Sequence, residues 1–105
     1  MAYEVVLAPT AVAQYRSLKA AVRALVRDAM ERHLSHQPTR VSKSRIKRLR
    51  GLAQPQFRLR VGDIRVFYDV GEKRVDVLAI VTKAQAEIWL KEEGMPDEEG
   101  GAGES

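Results

Sequence analysis

From Phe57 to Val70 the apolar residues of this chain recur at every second position, and a Gly-Asp pair interrupts them in the middle. Phe57, Leu59 and Val61 alternate with Arg58 and Arg60. After Gly62-Asp63, Ile64, Val66, Tyr68 and Val70 alternate with Arg65, Phe67 and Asp69. A period of two is the signature of a strand with one buried face, and Gly-X is a favoured two-residue loop in tight hairpins. With Gly62 and Asp63 as the loop, Val61 stands opposite Ile64, Arg60 opposite Arg65, Leu59 opposite Val66 and Arg58 opposite Phe67. Directly opposed residues share a face. One face therefore carries Leu59, Val61, Ile64, Val66 and Tyr68. The other carries Arg58, Arg60, Arg65 and Phe67. Like charges directly opposed destabilise a sheet, so Arg60 against Arg65 suits an anion held between them. Arginine is also the side chain that grips phosphate in a planar, bidentate way, and Phe67 offers a ring to a base. Tyr68, turned inward by the same pairing, reads as core.

The rest of the chain is read around that hairpin. Tyr3–Leu7 is a short strand. Thr10 is placed to cap a helix that begins at Ala11. Apolar residues at Val12, Tyr15, Leu18, Val22, Leu25, Val26, Ala29, Met30 and Leu34 then follow helical spacing. One straight helix from Ala11 to Ser35 spans ~37 Å, too long for a chain whose radius of gyration is ~13 Å. A pair of helices breaking near Lys19–Ala21 fits better. Arg40–Arg50 reads as a basic linker closed by Gly51. Gly71-Glu72-Lys73-Arg74 is a second turn, Val75–Thr82 a third strand of central character, and Ala84–Lys91 a terminal helix. From Gly94 the chain is acidic and Gly-rich, with little to bury, and is expected to be a disordered tail over 94–105 behind a domain over 1–93. Strands joined by tight turns are antiparallel. The expected fold is α+β: a small, mainly antiparallel sheet with an N-terminal helical hairpin on one face and a short C-terminal helix, in the order strand-helix-helix-strand-strand-strand-helix.

Charge points the same way. Six of the 14 acidic residues lie at Glu92 and beyond. Residues 1–91 hold all 18 Lys and Arg against eight acids, a balance of +10. Residues 40–65 carry nine basic residues against Asp63 alone. Such a field attracts polyanions, nucleic acid above all. The chain has no cysteine, which excludes disulfides, thiolate metal sites and cysteine nucleophiles. No metal or cofactor is called for. The longest apolar run, Val77–Val81, is far from membrane length. The start Met1-Ala2-Tyr3-Glu4 lacks the basic and apolar segments of a signal peptide, so a cytoplasmic protein without membrane contact is expected. His33 and His36 close the helical section and are expected to lie away from the cationic face.

The run Arg48-Leu49-Arg50-Gly51, followed by Phe57-Arg58-Leu59-Arg60-Val61-Gly62-Asp63-Ile64-Arg65-Val66-Phe67-Tyr68, resembles the RelE/ParE superfamily of bacterial type II toxins. That family reads a leucine-basic-glycine element, a basic strand and a Gly-Asp-Tyr-Arg hairpin. The resemblance spans Tyr3 to Lys91. RelE-like members are endoribonucleases that cut mRNA, commonly on the ribosome, by attack of the substrate's 2′-OH on the adjacent phosphate, and a cognate antitoxin protein holds them inactive. The resemblance implies Arg65 as the catalytic residue at the scissile phosphate, Arg58 as a catalytic strand residue, Arg60 as a further basic strand residue and Lys83, just after the last strand, as a third catalytic residue and, with Tyr68, a remaining candidate for proton transfer. It puts Trp89 where active members place a tyrosine. RNA contacts are expected from Arg58, Arg60, Arg65, Phe67, Lys47, Arg48, Arg50 and Trp89. The chain also departs from the pattern. Trp89 has no ionisable hydroxyl, Gln56 and Arg58 stand at positions that are often lysine, and Ile64 replaces the usual tyrosine. Arginine stays protonated and takes no proton. The phosphate-binding half of the site is thus fuller than its proton-transfer half. The alternatives are a ParE-like block of DNA gyrase without nuclease chemistry, and a toxin homologue that has lost activity.

Overall fold

The computed structural model of the chain describes residues 2–97. Strand β1 (Glu4–Leu7) leads into helices α1 (Pro9–Ser17) and α2 (Ala20–Ala29), and α2 runs on into a wider π-helical turn, Met30–Leu34. Strands β2 (Ile46–Arg48), β3 (Leu52–Gln54), β4 (Phe57–Val61), β5 (Ile64–Gly71) and β6 (Arg74–Thr82) follow, then helix α3 (Lys83–Glu93) and the two-residue strand β7 (Met95–Pro96). The main sheet has the order β1-β6-β5-β4-β2. Only the β1–β6 pair is parallel. The architecture is the expected α+β fold.

Local chemistry explains where the helices start and stop. Thr10 does not cap α1. Pro9 takes the first helical turn, where its missing N–H leaves nothing unpaired, and the extended Ala8 precedes it. The break between α1 and α2 needs neither Gly nor Pro. Leu18 and Lys19 are both extended, with ψ 149°, and Arg23 Nη1 reaches back to donate to the Leu18 carbonyl at 3.0 Å. A side chain thus satisfies an acceptor that the helix end leaves open. At α3, Thr82 Oγ1 accepts from Gln85 N and Gln85 Oε1 accepts from Thr82 N, a capping box that starts the helix at Lys83.

The sheet is covered on both faces. Helices α1 and α2 pack on Leu59, Val66, Tyr68, Val75, Val77 and Ile80. On the other face a smaller apolar cluster joins Phe67, Ala79 and Val81 to Leu49 and to Ala86, Trp89 and Leu90 of α3. The register of β5 against β6 slips at Leu78: Phe67 pairs with Ala79 but Tyr68 with Val77. One extra residue inverts the alternation. Val77 and Ile80 therefore face the helical pair while Ala79 and Val81 face α3, which is why the middle of this strand is apolar throughout. The pairing of β1 with β6 ends at Leu7 and Val77, and further along β6 Gln14 Oε1 accepts from Ile80 N at 2.7 Å.

Two segments differ from expectation. The basic run contains β2, whose Ile46 is buried against Leu59. Its other residues, Lys47 and Arg48, are charged, as suits an exposed sheet edge. The first residues of the acidic tail pair with the chain: Met95 and Pro96 lie against β3, and Asp97 N donates to Gly51 O at 3.0 Å. The tail beyond Asp97 lies outside the described residues. Among the described residues no helix is long and apolar enough to cross a membrane.

Candidate nucleic-acid interface

The hairpin register agrees pair for pair with the one read from the turn: Arg58↔Phe67, Leu59↔Val66, Arg60↔Arg65 and Val61↔Ile64. Gly62 has φ 58°, a left-handed conformation that glycine adopts without strain and that a tight hairpin requires. On the far side of β4, Lys47 pairs with Arg58. Lys47, Arg58, Arg60 and Arg65 therefore share one face of the sheet, on the part that the α3 cluster leaves uncovered.

The cations of this strip differ in how they are held. Arg60 and Lys47 are exposed. Arg58 is half-buried, and its Nε is the one buried side-chain nitrogen or oxygen left without a hydrogen-bond partner among the described residues. Burial, and then the charges of Arg65 and Arg60, lower the Arg58 pKa below the ordinary arginine value. Arg65 is 8 % exposed. Its Nη1 donates to the Gly62 carbonyl at 2.8 Å and to the Ile64 carbonyl at 3.1 Å, so it ties down the turn. Two acids near the sheet are engaged elsewhere. Asp69 accepts from Gln54 Nε2 and Gln56 N, and Asp76 pairs with Arg74. Asp28 pairs with Arg27. Buried like charges without a counterion make a site that gains from an incoming anion.

The remaining expected site residues scatter. Phe67 lies on the right face but is 1 % exposed, stacked beneath Trp89, so it presents no ring to a base. Trp89 is half-buried with one ring face spent on that stack. Arg48 pairs with Phe57 and turns to the opposite face, where its guanidinium lies 5.2 Å from the Phe57 ring centroid. Its Nη1 donates to Gln56 O. The alternation along β2 separates it from Lys47, and only recognition of that strand from the sequence reveals this. Arg50 is exposed in the loop before β3. Lys83 opens α3 beside the hairpin turn, its backbone N donating to Asp63 O at 2.7 Å. Tyr68 is fully buried, its hydroxyl donating to Pro38 O at 2.6 Å, and burial raises its pKa. His33, expected to lie away from the cationic face, sits beside Arg45 at the sheet edge: Arg45 Nη1 and His33 Nε2 are 2.9 Å apart. Among the described residues no group of His, Asp or Glu is placed to hold a metal ion.

No protein-family model and no curated protein matches the chain. Solved structures do. The toxin–antitoxin complex RelBE2 from Mycobacterium tuberculosis aligns with a TM-score of 0.65 at 26% identity, over 78% of this chain and 99% of that chain. The archaeal RelE–RelB complex from Pyrococcus horikoshii OT3 gives 0.61 at 26% identity, over 81% and 99%. The free E. coli toxin RelE, as a double arginine-to-alanine mutant, gives 0.64 at 23% identity, over 85% and 92%. The resemblance first carried by the hairpin thus extends over the fold, and the chain is RelE-like.

Proposed function

We propose that this chain is the toxin of a type II toxin–antitoxin pair and that it cuts mRNA. The observation that carries this reading is the strip Lys47-Arg58-Arg60, whose cations form no ion pair among the described residues and in which Arg58 holds a buried Nε without a hydrogen-bond partner there. An RNA phosphate supplies what that nitrogen lacks. In the reaction the 2′-oxygen of the substrate attacks the adjacent phosphorus and the bond to the 5′-oxygen breaks. The products are a 2′,3′-cyclic phosphate and a free 5′-hydroxyl. Negative charge grows on the phosphoryl oxygens between those events, and donors already aimed at that place stabilise it. Arg58 and Arg60 are these donors. Arg65 contributes a fixed charge behind them and holds the turn on which Lys83 rests. One proton must leave the 2′-oxygen and one must reach the 5′-oxygen. Arginine takes no proton and Tyr68 is sealed in the core, so this work falls to Lys83 or to a group outside the chain, as on a ribosome.

Two of the three solved structures above are toxin–antitoxin complexes. By the same reading this chain has a cognate antitoxin, and acidic side chains of that partner meet the strip. The test is to map cleavage in a translating extract. Discrete cuts in mRNA that end in a 2′,3′-cyclic phosphate are expected. Arrest of growth on expression, with intact mRNA and with inhibited DNA gyrase, replaces this reading with the ParE-like one.

A further inference from the structure

Beyond the strip, the edge of the sheet carries a second set of cations around His33. Arg45 Nη1 donates to His33 Nε2, which fixes Nε2 as acceptor and leaves the ring proton on Nδ1. These two side chains line a hollow of about 300 Å³ with Arg40, Ser42 and Ser44, and among the described residues no carboxylate lines it. Ser42 Oγ accepts from the backbone N–H groups of Arg45 and Ile46, so its own proton is available to a further acceptor. An adjoining hollow brings Arg60 and Arg32 against the same His33 and Arg45, with Asp28 as its single acid. Three donor types that phosphate uses are present: guanidinium, hydroxyl and ring N–H. The hollow is also continuous with the strip. Arg60 N donates to Arg45 O at 2.8 Å, and Arg45 lies two residues, about 7 Å of strand, before Lys47.

We infer that the hollow around His33 and Arg45 is a second phosphate subsite, which holds the RNA strand on one side of the cleaved linkage. This rests on the RNA reading above. A single strand laid across Arg58 and Arg60 presents its next phosphates in sequence, and Arg45 stands where the track leaves the sheet. The His33 imidazole is held below its ordinary pKa by burial and by Arg45 and Arg32. The charged groups around it are Arg32, Arg40, Arg45 and Arg60, with Asp28 the one acid. A bound phosphate offsets that arginine field, so occupation of the hollow raises the pKa of His33, and binding tightens as the pH falls.

The experiment follows the two histidine rings by NMR while the full chain is titrated with a short 2′-O-methyl oligoribonucleotide, which resists cleavage, and with inorganic phosphate alone. The oligonucleotide is expected to raise the His33 midpoint by about half a pH unit or more. Arg45→Gln is expected to weaken oligonucleotide binding about fivefold and to flatten its salt dependence, with Arg45→Lys recovering part of both. Arg45 is exposed, and the wild-type titration needs no variant at all. Oligonucleotide that binds while leaving the His33 midpoint in place overturns the subsite and spares the RNA reading. Failure of the oligonucleotide to bind the wild-type chain, even if inorganic phosphate shifts His33, overturns both.

Discussion

Trp89 lies flat on Phe67, with ring centroids 5.1 Å apart and planes 8° from parallel. The stack closes the small core between the sheet and α3, beside the arginines rather than among them. Trp89 is therefore expected to matter first for stability. Trp89→Ala should lower stability by about 2–3 kcal/mol, since it opens the cover over Phe67, while Trp89→Phe should lose about 1 kcal/mol or less. Denaturant unfolding of the two variants beside wild type measures this directly.

Arg65 makes the sharper case. Read from the hairpin alone, it is a charge facing Arg60, and its removal relieves repulsion. In the folded chain its Nη1 holds the Gly62 and Ile64 carbonyls from a nearly buried position. Arg65→Ala should then destabilise by about 1–3 kcal/mol, the range for losing charged hydrogen bonds in a buried setting. Thermal melting decides the sign: a variant as stable as wild type, or more so, shows that repulsion outweighs the turn contacts.

Tyr68→Phe removes the hydroxyl that donates to Pro38 O and leaves that carbonyl buried without its partner. The expected loss is about 1–3 kcal/mol. RNA cleavage, measured at a temperature where the variant is folded, should be unchanged, because the hydroxyl faces the core side and not the cationic strip.

How much of this was legible in the chain depends on which forces set each feature. The register of β4 against β5 follows from a two-residue turn and strict alternation, both local, and it agrees at every pair expected. Strand β2 left no such pattern. It is three residues long with one apolar side chain, and it exists because Leu59 offers Ile46 a buried neighbour. The cover over Phe67 was half visible: Ala86, Trp89 and Leu90 fall at helical spacing on one side of α3, but spacing does not say which sheet face the helix meets. Arg48 and Lys47 are adjacent in a basic run, and only strand pairing puts them on opposite faces. The contact of His33 with Arg45 joins residues 12 apart across a loop without sequence signature.

His33 also yields a pH prediction. Its folded pKa lies below its unfolded value, so between the two the unfolded chain binds more protons and stability rises with pH. The contribution is complete above the ordinary histidine pKa and is lost as pH falls through the folded value. Melting temperature should therefore decline on acidification from pH 7 toward 5, and His33→Gln should flatten that decline. An equally steep decline in the variant assigns the effect to other groups.

Arg58 carries the central claim, because it joins half-burial, an unpartnered Nε and a place between Lys47 and Phe67 on the cationic face. The direct measurement is the rate of mRNA cleavage in a translating extract for Arg58→Ala beside wild type, with a thermal melt of each. Loss of one positioned donor to the developing phosphoryl charge should slow cleavage by on the order of a hundredfold. The melting temperature should hold or rise, since a partly buried charge repelled by Arg60 and Arg65 is removed. Cleavage at the wild-type rate by a stably folded Arg58→Ala would contradict the assignment of this strip to the scissile phosphate.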